Sequence, residues 1–579
     1  MTEQTHATRN GLFCALIFAA CYWLTWPIAE MGFLDDFSYA KSAQVLARTG
    51  HLTYNAFAFP MLGWQAAWGA LFIRLFGFSF SILKLATFFI ALLTVFLFHS
   101  VLVRFGITAR NAIFGTLTLG LSPLFLPLAA SFMTDVYGLF AVLLCLYCCQ
   151  RAMASQGTAS TIAWLGLAAA SGVVGGTGRQ VVWLGALLMM PSAAWLLRNR
   201  RGVLLASFVL LSASLGCVLI CIKWWARQPY SMGDTYSVSM LLKEAIHHIR
   251  PAAAKDLLGL ALCLIALVYP VLAAWLPQMR KLSRRTLVLI VGLALVWTEI
   301  QWLLKWLPPW FVFLHEFADT GSVNIATDVQ GPLLPFKAWL ALSMLIAVTA
   351  MVLVFTLRGK PRDPVDNQGP ATPSPTIWRE LFWLCIPISL GYFGLLFLDA
   401  NANLNIVDRY VLIVMPFAII CLLHLYQQSI ATDLPRISSA ILVVYAIFAI
   451  AGTHDWFASQ RARMAAIDEL RAAGVPSTGI AGGFQYDAWT QLEVVGHLNN
   501  RLITNPPGAY QANLETPPVA KGCEVAFPAI TPAIRPHFAV DFARKPCMLP
   551  SKYPPVSFFA WLPPFQRMIE VNEIPWIKQ

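Results

Sequence analysis

Charge is what this chain has least of: Asp, Glu, Lys and Arg make up 12% of its 579 residues, against 58% hydrophobic residues. With a mean hydropathy of +0.65, that shortage excludes a soluble fold and makes the bilayer the main solvent. Ten-residue segments of alternating polarity are also missing, which excludes a membrane barrel. The apolar runs, about 17 to 23 residues long, leave the α-helix as the structure that satisfies its own backbone in lipid. No basic stripe flanked by aromatics exists, so the formal charge of +12 does not point to nucleic acid. Of twelve cysteines, ten lie in or beside apolar runs without metal-ligand spacing and read as small packing residues. The two-His helical spacing of a zinc enzyme is absent as well. Glu244, His247 and His248 in one loop, and His315, Glu316 and Asp319 in another, read as solvated residues open to substrate contact rather than as metal ligands.

What is present is a succession of apolar runs. They fall at 11–29, 80–103, 111–130, 136–150, 162–176, 180–197, 203–222, 256–276, 286–306, 335–357, 380–398, 409–427 and 437–452, predicting about thirteen transmembrane helices. Alternate loops carry Arg104 and Arg110; Arg198, Arg200 and Arg201; Arg280, Lys281, Arg284 and Arg285; and Arg358, Lys360 and Arg362. By the positive-inside rule these loops and the N-terminus are cytoplasmic. The long loops 30–79, 223–255 and 307–334, and the C-terminus, then face outward from an inner (plasma) membrane. No cleavable signal pattern precedes the first run, so residues 11–29 are expected to stay as a membrane helix.

Composition changes after Gly452: the remainder holds 15 of the 36 prolines and no run long enough to span. The sequence therefore divides into a membrane domain, 1–452, and a soluble extracytoplasmic domain, 453–579, expected to be α/β. That domain should open with an amphipathic helix, Trp456 to Ala473, followed by a short strand near Ile480. Its two cysteines, Cys523 and Cys547, are candidates for a disulfide in an oxidising compartment.

Chemistry is expected on the outer face. Asp35 and Asp36 follow the first membrane helix directly, and adjacent carboxylates at a membrane edge are costly unless solvated or used. One of them could take a proton from an acceptor hydroxyl as it attacks a sugar phosphate. Alternatively, Asp36 caps an interfacial helix running to about Arg48, with Phe37, Ala40, Ala43 and Ala47 on its apolar side. Asp135 stands at the same face, where it could act with the pair or cap the helix beginning at Val136. Three cations there are candidates to hold an anionic phosphate: Lys84, Arg409 and Arg179, the last following the run Gly175, Gly176, Thr177, Gly178.

Taken in order, these segments resemble the membrane glycosyltransferases of the C superfamily, in the branch of protein O-mannosyltransferases and the lipid A aminoarabinose transferase. "DDFSYAKSAQVLARTG" is similar to that branch's first-loop pattern, "WQAAWGALFIRLFG" and "SILKLATFFIALL" to the elements after it, "SFMTDVYGLF" to its later acidic site and "DRYVLIVMPFAII" to its late Arg-Tyr helix. The likeness covers roughly residues 10 to 200 and 400 to 420. It implies a polytopic helical fold of the GT-C type, a polyprenyl-phosphate sugar donor, a glycolipid, glycan or protein acceptor, and a single inverting displacement. Asp35 matches the family's catalytic base, with Asp36 and Tyr39 beside it, and Asp135 matches the second acidic position. Many relatives carry a His-Pro-Pro-Leu stretch where this chain has Phe59, Pro60, Met61 and Leu62, which leaves the acceptor open. A divalent cation serves some superfamily members, but no metal-binding set is assigned here. Two other readings stand beside this one. A lipid or solute transporter or flippase would want an inverted repeat and midplane charges, which are lacking. An O-antigen ligase or polymerase is kept open by Arg250 with His247 and His248.

Overall fold

The computed structural model of the chain describes residues 3–233, 243, 250–304, 336–358, 375–402, 406–512, 514, 519, 522–523, 527–563 and 565–576. His247, His248 and His315 lie outside the described residues. Among the described residues nine helices are long and apolar enough to cross a membrane. A tenth is gained if Ala253–Leu267 and Tyr269–Lys281, bent by 64°, count as one. The class expected from the sequence, a polytopic helical membrane protein with a small sheet near its C-terminus, is thus present. The count of thirteen is not reached among these residues, and local chemistry explains where it falls short. The run at 111–130 is broken around Pro123 into two short helices, α5 (Ala109–Gly120) and α6 (Phe125–Ala129), because proline ends a helical ladder. The run at 180–197 is a shorter apolar helix, Gln180–Leu196, whose backbone passes through a tight 3-10 turn and then a widened π turn. The run at 409–427 starts as a 3-10 turn, Asp408–Ile413, and becomes regular only at Met415–Ser429.

The elements that matter for the site come early. α1 (Glu3–Leu24) leads into α2 (Asp36–Thr49) and α3 (Gly63–Phe76), both too short to span. They are followed by α4 (Phe80–Arg104), α7 (Thr134–Ala154) and α8 (Thr158–Gly178). α2 buries Phe37, Ala40 and Ala43 at helical spacing. It stops at Gly50, whose φ of 76° a side chain would strain and whose N–H donates to the Leu46 carbonyl at 2.9 Å.

Past Gly452 the structure departs from the expected break. The apolar run and the amphipathic helix that should follow it are one continuous helix, Arg436–Ala472. No proline interrupts it, and Thr453 Oγ donates back to the Ala449 carbonyl at 2.7 Å. The membrane region and the sheet are therefore joined by a rod rather than a hinge. The sheet holds β1 (Ile480–Ala481), β2 (Phe538–Asp541), β3 (Leu549–Pro550), β4 (Val556–Phe559) and β5 (Gln566–Glu573). β1 runs parallel to β2; β5 pairs antiparallel with β2, β3 and β4, with Val540 opposite Val571. Ile480, Val540, Ile569 and Val571 pack on Ala466, Ile467 and Leu470 of the long helix. Cys523 and Cys547 are disulfide-bonded and pack with Ala539 and Met548.

Candidate functional site

The backbone entering α2 makes a turn through Phe33 and Leu34, where Leu34 has φ 52°. A bulky residue in that region is an outlier, and such strain persists only where the surroundings hold it. Its consequence is to separate the two adjacent carboxylates. Asp36, expected as the cap, is the first helical residue instead. Its side chain is fully buried and accepts the Phe33 amide at 2.6 Å and the Phe132 amide at 2.9 Å. Those two bonds fasten the first loop to the turn before α7. Burial pushes the Asp36 carboxyl up to about 7, against the two amides and nearby Lys84. Asp35 takes the N-cap position without a side-chain cap bond. It stays 31% exposed and accepts from Arg409 Nη2 at 3.2 Å, which makes it the member of the pair that a substrate can reach.

Arg409 and Arg179 flank one ring. Their guanidinium carbons lie 6.0 and 5.3 Å from the centre of Tyr410, at cation–π range. Arg179 Nη1 donates to Asp135 Oδ1 at 2.7 Å and to Thr134 Oγ at 3.1 Å. Asp135 is buried, and among the described residues its second oxygen, Oδ2, has no hydrogen-bond partner. Tyr39, one turn into α2, is buried with Asp35, Arg409, Asp135 and Arg179 as its charged neighbours; burial raises its phenol well above the usual range. Tyr392 donates its hydroxyl to the Tyr410 carbonyl at 2.7 Å, which holds the Arg409–Tyr410 turn in place.

Of the residues singled out in the sequence, Asp35, Asp135, Tyr39, Arg179 and Arg409 are thus brought together, while Asp36 frames them. Lys84 is not part of this group. It is buried, with Nζ 2.5 Å from the Ala29 carbonyl and 4.9 Å from the centre of the Phe457 ring, and the charges facing it are Asp36, Glu30 and Arg461. The glycine run before Arg179 differs from expectation too. It is the last turn of α8 rather than an open loop, and side chains on Gly176 and Gly178 would overlap the rings of Trp183 and Trp64. The glycines let aromatics close on the helix end; they do not offer free amides.

Three participants were not picked out as site residues in the sequence. Tyr410 stood in the "DRYVLIVMP" segment, yet its place between two arginines depends on a tertiary contact. Asn55 is buried, donates Nδ2 to the Ser38 carbonyl at 2.8 Å and accepts the Ser38 hydroxyl at 2.7 Å. Its own carbonyl accepts the Leu498 amide at 3.0 Å, so the first turn of α2 is pinned from the C-terminal region. Gln65 of α3 donates to the Phe132 carbonyl at 2.6 Å. Nothing in the local pattern of a single Asn or Gln announces such long-range bonds.

No family model and no curated protein matches the chain. Similar solved structures exist at low identity. The chain of ArnT from Cupriavidus metallidurans in the apo state is 14% identical, covering 81% of this chain and 82% of that one at a TM-score of 0.36. The same protein bound to undecaprenyl phosphate gives 14%, 80% and 79%, with a TM-score of 0.34. The S. cerevisiae protein O-mannosyltransferase Pmt1–Pmt2 complex bound to the sugar donor is 15% identical over 38% of this chain, at a TM-score of 0.32; this chain spans 33% of the length of the yeast chain.

Proposed function

We propose that the chain is an inverting glycosyltransferase that moves a sugar from a polyprenyl-phosphate donor to a hydroxyl of a glycolipid, glycan or protein, at the membrane face carrying the sheet. The observation that supports it is the reachable carboxylate of Asp35, 3.2 Å from Arg409 and on the same side as the Arg179–Asp135 pair. A base and two cations around one opening are what such a displacement needs. The acceptor oxygen loses its proton to Asp35 and bonds to the anomeric carbon, and the bond from that carbon to the phosphate oxygen breaks with inversion. Arg179 and Arg409 neutralise the charge that collects on the departing polyprenyl phosphate. Asp135, fixed by Arg179, offers Oδ2 to a sugar hydroxyl. Among the described residues no three His, Cys, Asp or Glu side chains converge as metal ligands do.

The test is transfer by the purified protein from a panel of radiolabelled polyprenyl-phosphate sugars to membrane glycolipids, peptides and glycans, comparing wild type with Asp35→Asn. Transfer by wild type that is lost in the variant supports both the activity and the base. Transfer retained in Asp35→Asn removes Asp35 from the mechanism, and absence of transfer from every donor replaces the reading with lipid transport, to be followed in vesicles.

A further inference from the structure

The long helix Arg436–Ala472 carries an exposed apolar stripe at Val443, Val444 and Ile447, which are 57%, 68% and 60% exposed. Seven residues beyond Ile447, on the same helical face, stands half-buried His454. Trp561, from the turn between β4 and β5, lies over the His454 ring at 4.1 Å with a 12° interplanar angle. The turn is held there by fully buried Asp455, which accepts the Trp561 amide at 2.6 Å and the Leu562 amide at 2.9 Å. Arg567 completes the clasp by donating to the Leu562 and Pro563 carbonyls at 2.9 and 3.2 Å. What the clasp presents is apolar: Phe559, Trp561, Phe565 and Met568 are 63%, 40%, 54% and 48% exposed.

The depth of this turn follows from helix geometry. From Arg436 to Asp455 the helix rises roughly 28 Å at 1.5 Å per residue, close to the hydrocarbon thickness of about 30 Å. A second marker agrees. Arg461, further along the helix, donates to the Trp26 carbonyl at 2.7 Å, just past the end of α1. The exposed rings there, Trp23 and Trp26, stand where aromatic side chains collect at a bilayer surface. Asp455 lies on the membrane side of Arg461, so the β4–β5 turn sits no higher than that aromatic belt.

We propose that the tip of the β4–β5 hairpin, through Phe559, Trp561 and Phe565, enters the boundary between headgroups and acyl chains and anchors the sheet to the bilayer. The occupant of this apolar surface is lipid, because the patch lies over the same face of the helix as the exposed stripe Val443, Val444 and Ile447, at the depth where the helix leaves the hydrocarbon. The proposal is independent of the sugar-transfer reading.

It is tested on the full chain in liposomes. Phe565→Cys is labelled with an environment-sensitive fluorophore, and the signal of the identically treated parent, whose Cys217 is exposed, is subtracted. Nitroxide placed high on the lipid acyl chain should quench the probe at least twofold. The same probe at Ala472→Cys, at the far end of the long helix, should be unaffected. A second measurement needs no probe: brominated lipid should quench less of the total tryptophan emission in Trp561→Phe than in the parent. A probe at 565 that reports water and escapes quenching overturns the proposal. A blue-shifted probe that lipid nitroxide cannot quench also overturns it, since the tip is then covered by protein.

Discussion

Two clusters of charge lie side by side where the early helices meet the C-terminal region, and they spend their atoms differently. In the first, Glu30, Asp36 and Lys84 are bonded to backbone. Glu30 accepts the Phe80 and Ser81 amides at 2.9 and 3.3 Å, Asp36 the Phe33 and Phe132 amides, and Lys84 donates to the Ala29 carbonyl. In the second, Asp35, Asp135, Arg179 and Arg409 pair with one another around Tyr410, leaving one carboxylate partly open and one carboxylate oxygen without a hydrogen-bond partner among the described residues. The first set is bonded to backbone groups, whereas the second sets charge against charge and keeps one carboxylate within reach of a substrate. Asp35 and Asp36 are chemically identical neighbours on opposite sides of that division.

The comparison breaks most sharply at Asp35. Asp35→Asn should lower the transfer rate by about 10²- to 10⁴-fold, the usual worth of a positioned base, while purified yield and melting temperature stay near wild type. A loss of folded protein equal to the loss of rate would move Asp35 into the framework cluster. Next comes Arg179. Removing it strands buried Asp135, and breaking a buried ion pair costs about 3 to 5 kcal/mol, so Arg179→Ala should fail in stability as well as in transfer. Arg179→Lys keeps a charge but not the two-pronged guanidinium; it should fold and raise the KM for donor by more than it lowers kcat. An unchanged KM in that variant would take donor phosphate away from Arg179.

Asp36 carries the opposite signature. Asp36→Ala leaves two buried amides unpaired at about 1 to 3 kcal/mol each, so its melting temperature should fall while the protein that remains folded keeps its KM for donor. Its pH dependence follows from burial. The native carboxyl, raised to about 7, holds a proton that the unfolded chain has already released by that pH. The native state binds the extra proton between the ordinary carboxylate range and about 7, so stability falls as pH rises through that window. Asp487, also buried and raised to about 7, adds a slope of the same sign. Asp36→Asn should reduce the decline in melting temperature between pH 5 and pH 8, and Asp36→Asn with Asp487→Asn should reduce it further. A slope untouched by both changes would assign the titration elsewhere.

How much of this the sequence carried depends on range. Membrane runs were legible because hydropathy is summed over many residues, and α2 because Phe37, Ala40 and Ala43 repeat at helical spacing before Gly50. The acidic pair was legible as a feature, but not its division of labour, which hangs on a left-handed Leu34 and on the Phe132 amide nearly a hundred residues away. The surroundings of Lys84 were hidden for the same reason. A lysine at the start of an apolar run looks like a cation at the membrane edge, and only packing reveals that Ala29 and Phe457 enclose it. The continuous helix through Gly452 was hidden because the change in composition there marks a change of solvent, not of secondary structure.

The weakest effect should come from the tie between α2 and the C-terminal region. Lys41 meets Glu493 at 2.5 Å and lies over the Trp489 ring at 5.4 Å, but Glu493 is 46% exposed, and exposed pairs are typically worth less than about 1 kcal/mol. Lys41→Ala should therefore shift the melting temperature only slightly and leave kcat alone. Asn55 makes the contrasting contact, buried and bonded to both Ser38 and Leu498. If Asn55 is what holds the first turn of α2 in place, Asn55→Ala should lower kcat while Lys41→Ala does not. Equal effects from the two would mean that the C-terminal region steadies α2 by bulk contact, with no single bond setting the position of Asp35.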